Sequence, residues 1–237
     1  MRRISLLCLC TICLSWLNAS AQIFDNLLGS VDTVMPFVSL DFSKGAKGVF
    51  INMPDDLMPM IGENARKDLV DFIEYGMKAT VENEWGGRTT LTKLTPGYLE
   101  LQEDSRGCVL TQLAVLPAGR DTIVCMVRTL STPVPDSEIL FYNREFELLP
   151  AGKFFSAPKA KDFSMPQKTY TATGSTEYMH LTLSPATDDG KQPSGGVQLT
   201  ASLYCDEAIA DQLEAPKPND APTLTYVWDG QKFTLTH

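Results

Sequence analysis

Residues 50–94 read FINMPDDLMPMIGENARKDLVDFIEYGMKATVENEWGGRTTLTKL. The apolar period in this stretch changes from about 3.6 to 2, which marks a helix handing over to strands. Leu69, Val70, Phe72, Ile73, Gly76 and Met77 fall on one helical face, and Arg66, Lys67, Asp68, Asp71 and Glu74 take the other. That spacing predicts an amphipathic helix over residues 64–79, with the Asn64 side chain accepting from an orphan first-turn N–H. Upstream, the stretch before Asn52 reads as extended and Asn52 to Asp55 as the start of a short helical turn, with Pro54 tolerated and Asp55 favoured by the helix dipole. Downstream, TVENEW and RTTLTKL flank Gly86-Gly87 and predict a hairpin with a two-residue turn.

Working outward, the N-terminus carries Arg2 and Arg3, an uncharged apolar run from Ile4 to Leu17, and Ala19-Ser20-Ala21 as a small-x-small cleavage site. This pattern predicts an export signal over residues 1–21 and a mature chain beginning at Gln22. A lipoprotein is the alternative, but Leu7, Leu9 and Ile12 stand where a lipid-attachment cysteine wants a small neighbour. No later stretch offers the roughly 18 apolar residues of a spanning helix. The chain carries a net charge of −9, and losing a leader with two arginines and no acid deepens it. Nucleic acid and anionic lipid surfaces are therefore poor partners.

Residues 22–48 read as a leader, with a short helix through Ile23, Phe24, Leu27, Leu28 and Val31 and a loop from Ser43 to Gly48. Residues 49–150 read as a main α+β lobe, 151–176 as an irregular connection or surface excursion, and 177–237 as a β-rich lobe; the lobes are separate or one continuous domain. Strands are expected at Tyr98 to Leu101, Val109 to Leu116, Thr122 to Leu130 and Glu138 to Tyr142. The run IVCMV, Ile123 to Val127, is apolar in both phases and predicts a central strand covered on each side. Met179, Leu181 and Leu183 alternate with Tyr178, His180 and Thr182, and Val197 to Tyr204 comes next as a strand. Asp206 to Leu213 reads as a short helix. In PTLTYVWDGQKFTLTH, an Asp229-Gly230 turn puts Leu224, Tyr226, Trp228, Phe233 and Leu235 on one face. The fold class is thus α+β, mostly antiparallel sheet with one main amphipathic helix packed on it and a smaller C-terminal αββ unit.

Three cysteines lie beyond the leader, Cys108, Cys125 and Cys205, and an odd number cannot all pair within one chain. A turn at Ala118 to Asp121 places Cys125 opposite about Leu113. Cys108 then lies about 16 Å away along the strand at roughly 3.3 Å per residue, beyond the ~7 Å a disulfide spans. Free thiols packed as small hydrophobes are expected, with a bridge from Cys205 to Cys108 or Cys125 as the alternative.

The residue inventory narrows the chemistry. His180 and His237 are the only histidines, and there is no C-x-x-C, H-E-x-x-H or calcium loop. No metal or cofactor is indicated. His180 reads as an exposed structural residue, and a nucleophile would have no other base to recruit. Glycoside hydrolysis needs two carboxylates ~5–10 Å apart, and Asp55, Asp56, Glu82 and Glu84 are the candidates nearest the helix. They read rather as dipole stabilisers at a helix start and as a wet strand face. Met53, Met58 and Met60 read as core under a short helix, with an adaptable binding surface as the alternative. No residue is assigned a catalytic, cofactor-binding or metal-binding role, and ligand-binding residues are left unassigned.

The segments VFINMPDDLMPMI, NARKDLVDFIEYGMKATVENEWGGRTTLTKLT, TPVPDSEILFYN and TYVWDGQKF, in that order, resemble the domain of unknown function 3256 family. The resemblance covers roughly residues 48–236, with a longer leader between Gln22 and Lys47 than the family pattern. It implies a secreted or periplasmic protein of a Bacteroidales-type Gram-negative envelope, and it carries no activity, substrate or cofactor. The expected function is a non-enzymatic binding or accessory module with a protein or glycan partner, acting through strand edges or a concave sheet face. The alternatives are a small-molecule or glycan carrier, or a hydrolase using an acidic pair.

Overall fold

Apolar side chains in both phases of Ile123 to Val127 need cover on both sides of one strand, and the computed structural model supplies it. The structure describes residues 44–104, 108–131, 134–163, 177–185, 197–205 and 222–236. Among these, seven strands form an antiparallel sheet in chain order: β1 (Thr80–Glu82), β2 (Arg88–Thr95), β3 (Tyr98–Asp104), β4 (Cys108–Ala118), β5 (Asp121–Leu130), β6 (Asp136–Tyr142) and β7 (Leu148–Leu149). β8 (Glu177–Pro185), β9 (Val197–Cys205), β10 (Thr223–Trp228) and β11 (Phe233–Leu235) form a second antiparallel sheet in the order β11-β10-β9-β8. Two helices, α1 (Gly45–Asn52) and α2 (Glu63–Glu74), complete the described elements together with short 3-10 turns.

One face of the seven-stranded sheet carries Leu91, Leu99, Leu101, Leu113, Val124, Met126 and Tyr142, packed with Ala46, Val49 and Phe50 of α1 and Leu69 and Val70 of α2. The opposite face carries Tyr98, Ala114, Leu116, Cys125, Val127 and Phe141, packed with Leu181, Leu183, Leu199, Ala201, Leu203, Tyr226 and Trp228 of the second sheet. Alternation along β3, β4 and β5 therefore serves two separate cores, the two-sided cover that IVCMV predicts. Strands on both sides of residues 151–176 contribute to this second core. Within that segment Phe154, Phe155 and Phe163 are buried in the same core. Each such ring contributes roughly 2 kcal/mol of burial.

Helix positions depart from the sequence reading at both ends. Gly45 to Gly48, expected as loop, begins α1, and Phe50 to Asn52, expected as extended, completes it. Two glycines lower its propensity, but Ala46, Val49, Phe50 and Met53 at i, i+3, i+4, i+7 bury one face against the sheet. Gly45 has φ +59°, and a Cβ there would lie 2.0 Å from the Pro96 carbonyl oxygen, which accepts from the Ala46 N–H at 2.8 Å. Only glycine fits so close an approach.

Helix α2 starts after Gly62 without any side-chain cap, so Asn64 is not its cap. It stops at Glu74 in a Schellman arrangement. Met77 N–H donates to Phe72 and Gly76 N–H to Ile73, with Gly76 at φ +70°. Gly76 and Met77 thus leave the buried face, and Tyr75 and Met77 are exposed. Arg66, expected on the wet face, is 1% exposed.

Both expected hairpins form with longer turns. Glu82 pairs with Arg88, leaving Asn83 to Gly87 as a five-residue loop, because the Asn83 carboxamide oxygen accepts from the N–H groups of Trp85 and Gly87 at 3.2 and 2.9 Å. Trp228 pairs with Phe233, and Asp229 Oδ1 accepts from Gln231 and Lys232 N–H at 2.8 Å each. These short polar side chains substitute for main-chain turn bonds. Tyr226, Trp228 and Phe233 share the buried face as expected, while Leu235 is exposed. Cys108 and Cys125 are free thiols, the latter buried, so neither is bridged to Cys205. The expected leader helix and the expected helix from Asp206 to Leu213 lie outside the described residues.

Candidate functional site

The helix-side face of the large sheet changes character within one row of side chains. Leu91, Leu101, Leu113 and Met126 are core, and two residues along each strand stand Thr89, Glu103, Thr111 and Arg128. The registers Thr89 to Glu103, Glu103 to Val109, Thr111 to Arg128 and Arg128 to Glu138 make these side chains neighbours. A polar row so placed needs a cover that is not a helix.

That cover is the loop from Met53 to Ile61, and Arg66 shapes it. The Arg66 guanidinium donates through Nη1 to Ile61 O at 2.8 Å and Asp55 Oδ1 at 2.9 Å, and through Nη2 to Met53 O at 2.6 Å. One buried fork therefore gathers three points of the loop, a geometry that suits a guanidinium and not an ammonium. The loop is held at two further points. Arg128 donates through Nη2 to Leu57 O, and Glu84 N–H donates to Met60 O at 3.0 Å. The second of these ties the loop to the β1–β2 turn.

Between the loop, the turn and the polar row lies a recess of about 160 Å³ lined by Met58, Pro59, Met60, Trp85, Glu103, Val109, Thr111 and Arg128. Trp85 stands at the turn and is 59% exposed, which is unusual for so large an apolar surface. Glu103 is 8% exposed. Burial pushes its carboxyl above the usual carboxylate range, and the nearby Arg128 charge pulls it partly back. Met58 and Met60 are core residues, as expected, and also form a wall of this recess.

The acids singled out in sequence do not assemble. Asp55 is paired with Arg66 and is 67% exposed at its side chain, and Asp56, Glu82 and Glu84 are exposed. A carboxylic acid kept protonated for catalysis needs burial, which none of these has. Glu103, the acid whose carboxyl is raised, is not among them. Its signal is nonetheless present in the sequence, since Leu99, Leu101 and Glu103 fall in the same phase of YLELQED and put a glutamate on the inward face.

On the other face, Gln112, Tyr98 and Glu100 form a buried network. Gln112 Nε2 donates to the Tyr98 hydroxyl at 2.8 Å and Glu100 Oε2 at 3.1 Å, and the Tyr98 hydroxyl donates to Glu100 Oε2 at 2.8 Å. Burial alone would raise Glu100, but hydrogen bonds from Gln112, Tyr98 and Thr92 outweigh it and hold the carboxyl below its ordinary value. The same network closes the outer edge of β8. Gln112 Oε1 accepts from Leu183 N–H at 2.9 Å, Ser137 Oγ from Leu181 N–H at 2.8 Å, and Asp136 Oδ1 from Met179 N–H at 3.2 Å. This edge is therefore not free for strand addition. His180, expected to be exposed, is half-buried beside Thr182 and Tyr204, and desolvation lowers its pKa.

No helix among the described residues is long and apolar enough to cross a membrane. Among curated proteins none matches the chain. A solved structure, described as the structure of a domain of an uncharacterized protein from Porphyromonas gingivalis W83, is similar with a TM-score of 0.58 and 24% identity, over 79% of this chain and 96% of that one. It shares the fold. The family described as "Protein of unknown function (DUF3256)" matches residues 38–233, and the chain belongs to that family.

Proposed function

We propose that this protein is an exported, non-enzymatic binding module of a Gram-negative cell envelope, and that it engages a partner protein through the Trp85 recess. The observation that carries this reading is an indole 59% exposed beside an apolar wall and a buried carboxyl. Large aromatics at the mouth of a pocket are the side chains that dominate protein interfaces. Export is supported by the Arg2-Arg3, apolar run and Ala-Ser-Ala pattern of residues 1–21. The recess is preferred to the β8 edge as the binding element, because side chains already complete that edge. A hydrolase is the weaker reading, since the recess is lined by one carboxyl residue and such chemistry needs two.

The test compares cross-linked envelope extracts from cells expressing the tagged protein, its Trp85→Ala variant and its Leu235→Ala variant. Leu235 is exposed on the second sheet and serves as the control. A stoichiometric partner captured by the protein and by Leu235→Ala, and lost with Trp85→Ala, is the expected result. The same partners recovered with Trp85→Ala would remove the recess from the interaction.

A further inference from the structure

We infer that the recess receives a lysine side chain of the partner protein, its alkyl stem lying along Met58, Met60 and Trp85 and its ammonium meeting Glu103. This rests on the partner-binding reading above and names the chemistry of what enters.

The first ground is the state of Glu103. The residue is 8% exposed and its carboxylate oxygens are the part that reaches solvent, with no hydrogen bond or close ion pair to them among the described residues. A carboxylate set in an apolar wall, open at its oxygens and without a donor from the protein, is placed to accept a charged donor from a ligand.

The second ground is charge. Around the recess, Arg66 is committed to Asp55 and loop carbonyls, Arg88 lies 3.6 Å from Asp104, and Arg128 donates to the Leu57 carbonyl and stands opposite Glu138. Glu82, Glu84 and Asp56 are exposed at the same end without an ion pair among the described residues. The surplus is acidic, as is the whole chain at −9. A cation approaches such a surface more readily than an anion does.

The third ground is shape. A volume of about 160 Å³ with two methionines, a proline and a valine in its lining fits an unbranched alkyl stem, and methionine adapts to one. Trp85 at the mouth offers a ring face to the cation on its way in. One carboxylate among the lining residues of so small a recess suits a compact ammonium better than a planar fork that needs both oxygens.

The test titrates the purified protein with three capped amino acids, the Nα-acetyl N-methylamides of lysine, norleucine and glutamate. Binding is followed by the indole N–H resonance of Trp85, assigned by its loss in Trp85→Phe. Lysine is expected to bind about tenfold tighter than norleucine, the scale of one charge-assisted hydrogen bond. Glu103→Gln should remove that preference while leaving norleucine binding and the fold's spectrum in place. Equal binding of lysine and norleucine would overturn the lysine assignment and leave the recess as an apolar docking site. Tightest binding of glutamate would overturn it in favour of Arg128. No shift of Trp85 with any of the three would overturn both the lysine assignment and the recess as a docking site.

Discussion

Gln112 pairs with Leu183 as a second strand would, its carboxamide oxygen accepting from the Leu183 N–H at 2.9 Å and its Nε2 donating to the Leu183 carbonyl at 3.1 Å. A side chain of one sheet thus completes the backbone of another. Gln112→Ala leaves both Leu183 groups and part of the Tyr98 and Glu100 network without partners inside a closed layer. The expected loss is about 3 kcal/mol. Urea unfolding measures it, and a change below about 0.5 kcal/mol would show that water takes over the role.

Arg66 is expected to be the most sensitive charged residue in the chain. Removing it by Arg66→Ala strands several loop carbonyls and opens a cavity, at a cost of about 3–5 kcal/mol. Arg66→Lys should recover only a minor part, since an ammonium cannot reach Met53, Ile61 and Asp55 together. Asp55→Ala, at the exposed end of the pair, should cost less than about 1 kcal/mol. Thermal unfolding of the three variants gives the order, and equal effects of Arg66→Ala and Asp55→Ala would refute the central role of the guanidinium.

Glu103 gives a pH signature. Its folded-state pKa is raised, so the unfolded chain loses this proton first as pH rises. Its contribution favours the folded state below the ordinary glutamate range and is lost as pH climbs from there to the raised value. Glu103→Gln has no such proton, and its stability relative to the parent should therefore improve between pH 4 and pH 7. Paired denaturation curves at the two pH values check this. A difference that is constant with pH would mean that Glu103 titrates as it does in the unfolded chain.

The two described thiols should react differently. Cys125 is fully enclosed and burial pushes its thiol well above the ordinary range, whereas Cys108 is partly exposed at the start of β4. In a Cys205→Ser background, an alkylating reagent should modify Cys108 in the folded protein and reach Cys125 only after denaturation. Peptide mapping by mass spectrometry distinguishes the sites. Native labelling of Cys125 would indicate that β5 opens without global unfolding.

Much of the fold is legible in the sequence because period 2 is hard to counterfeit. IVCMV announces a strand with two cores, and the turn at Ala118 to Asp121 is implied by the strands around it. The rest is set by tertiary contact. The helix at Gly45–Asn52 has glycines at both of the positions that suggest loop, and it exists because its flat face meets the sheet. Arg66 looks solvated because arginine usually is, and only the folded loop reveals three oxygens waiting for it. The recess is half visible. Met58 and Met60 read as core or as surface and are both, whereas Trp85 reads as a strand residue because Gly86-Gly87 suggests a shorter turn than the one Asn83 builds.

The large sheet is assembled in chain order, each strand lying beside the one made just before it. Such a sheet needs only short loop closures and can zip up while the chain is still being synthesised. The helices and Met loop that cover one face precede it or lie at its start, so that face is covered early. The other face, with Tyr98, Leu116, Cys125, Val127 and Phe141, stays bare until Phe154, Phe155 and Phe163 and then the second sheet arrive. A nascent chain halted near residue 150 would therefore be a well-formed meander with one greasy side. That interval, rather than the finished molecule, is where aggregation or a chaperone would find it.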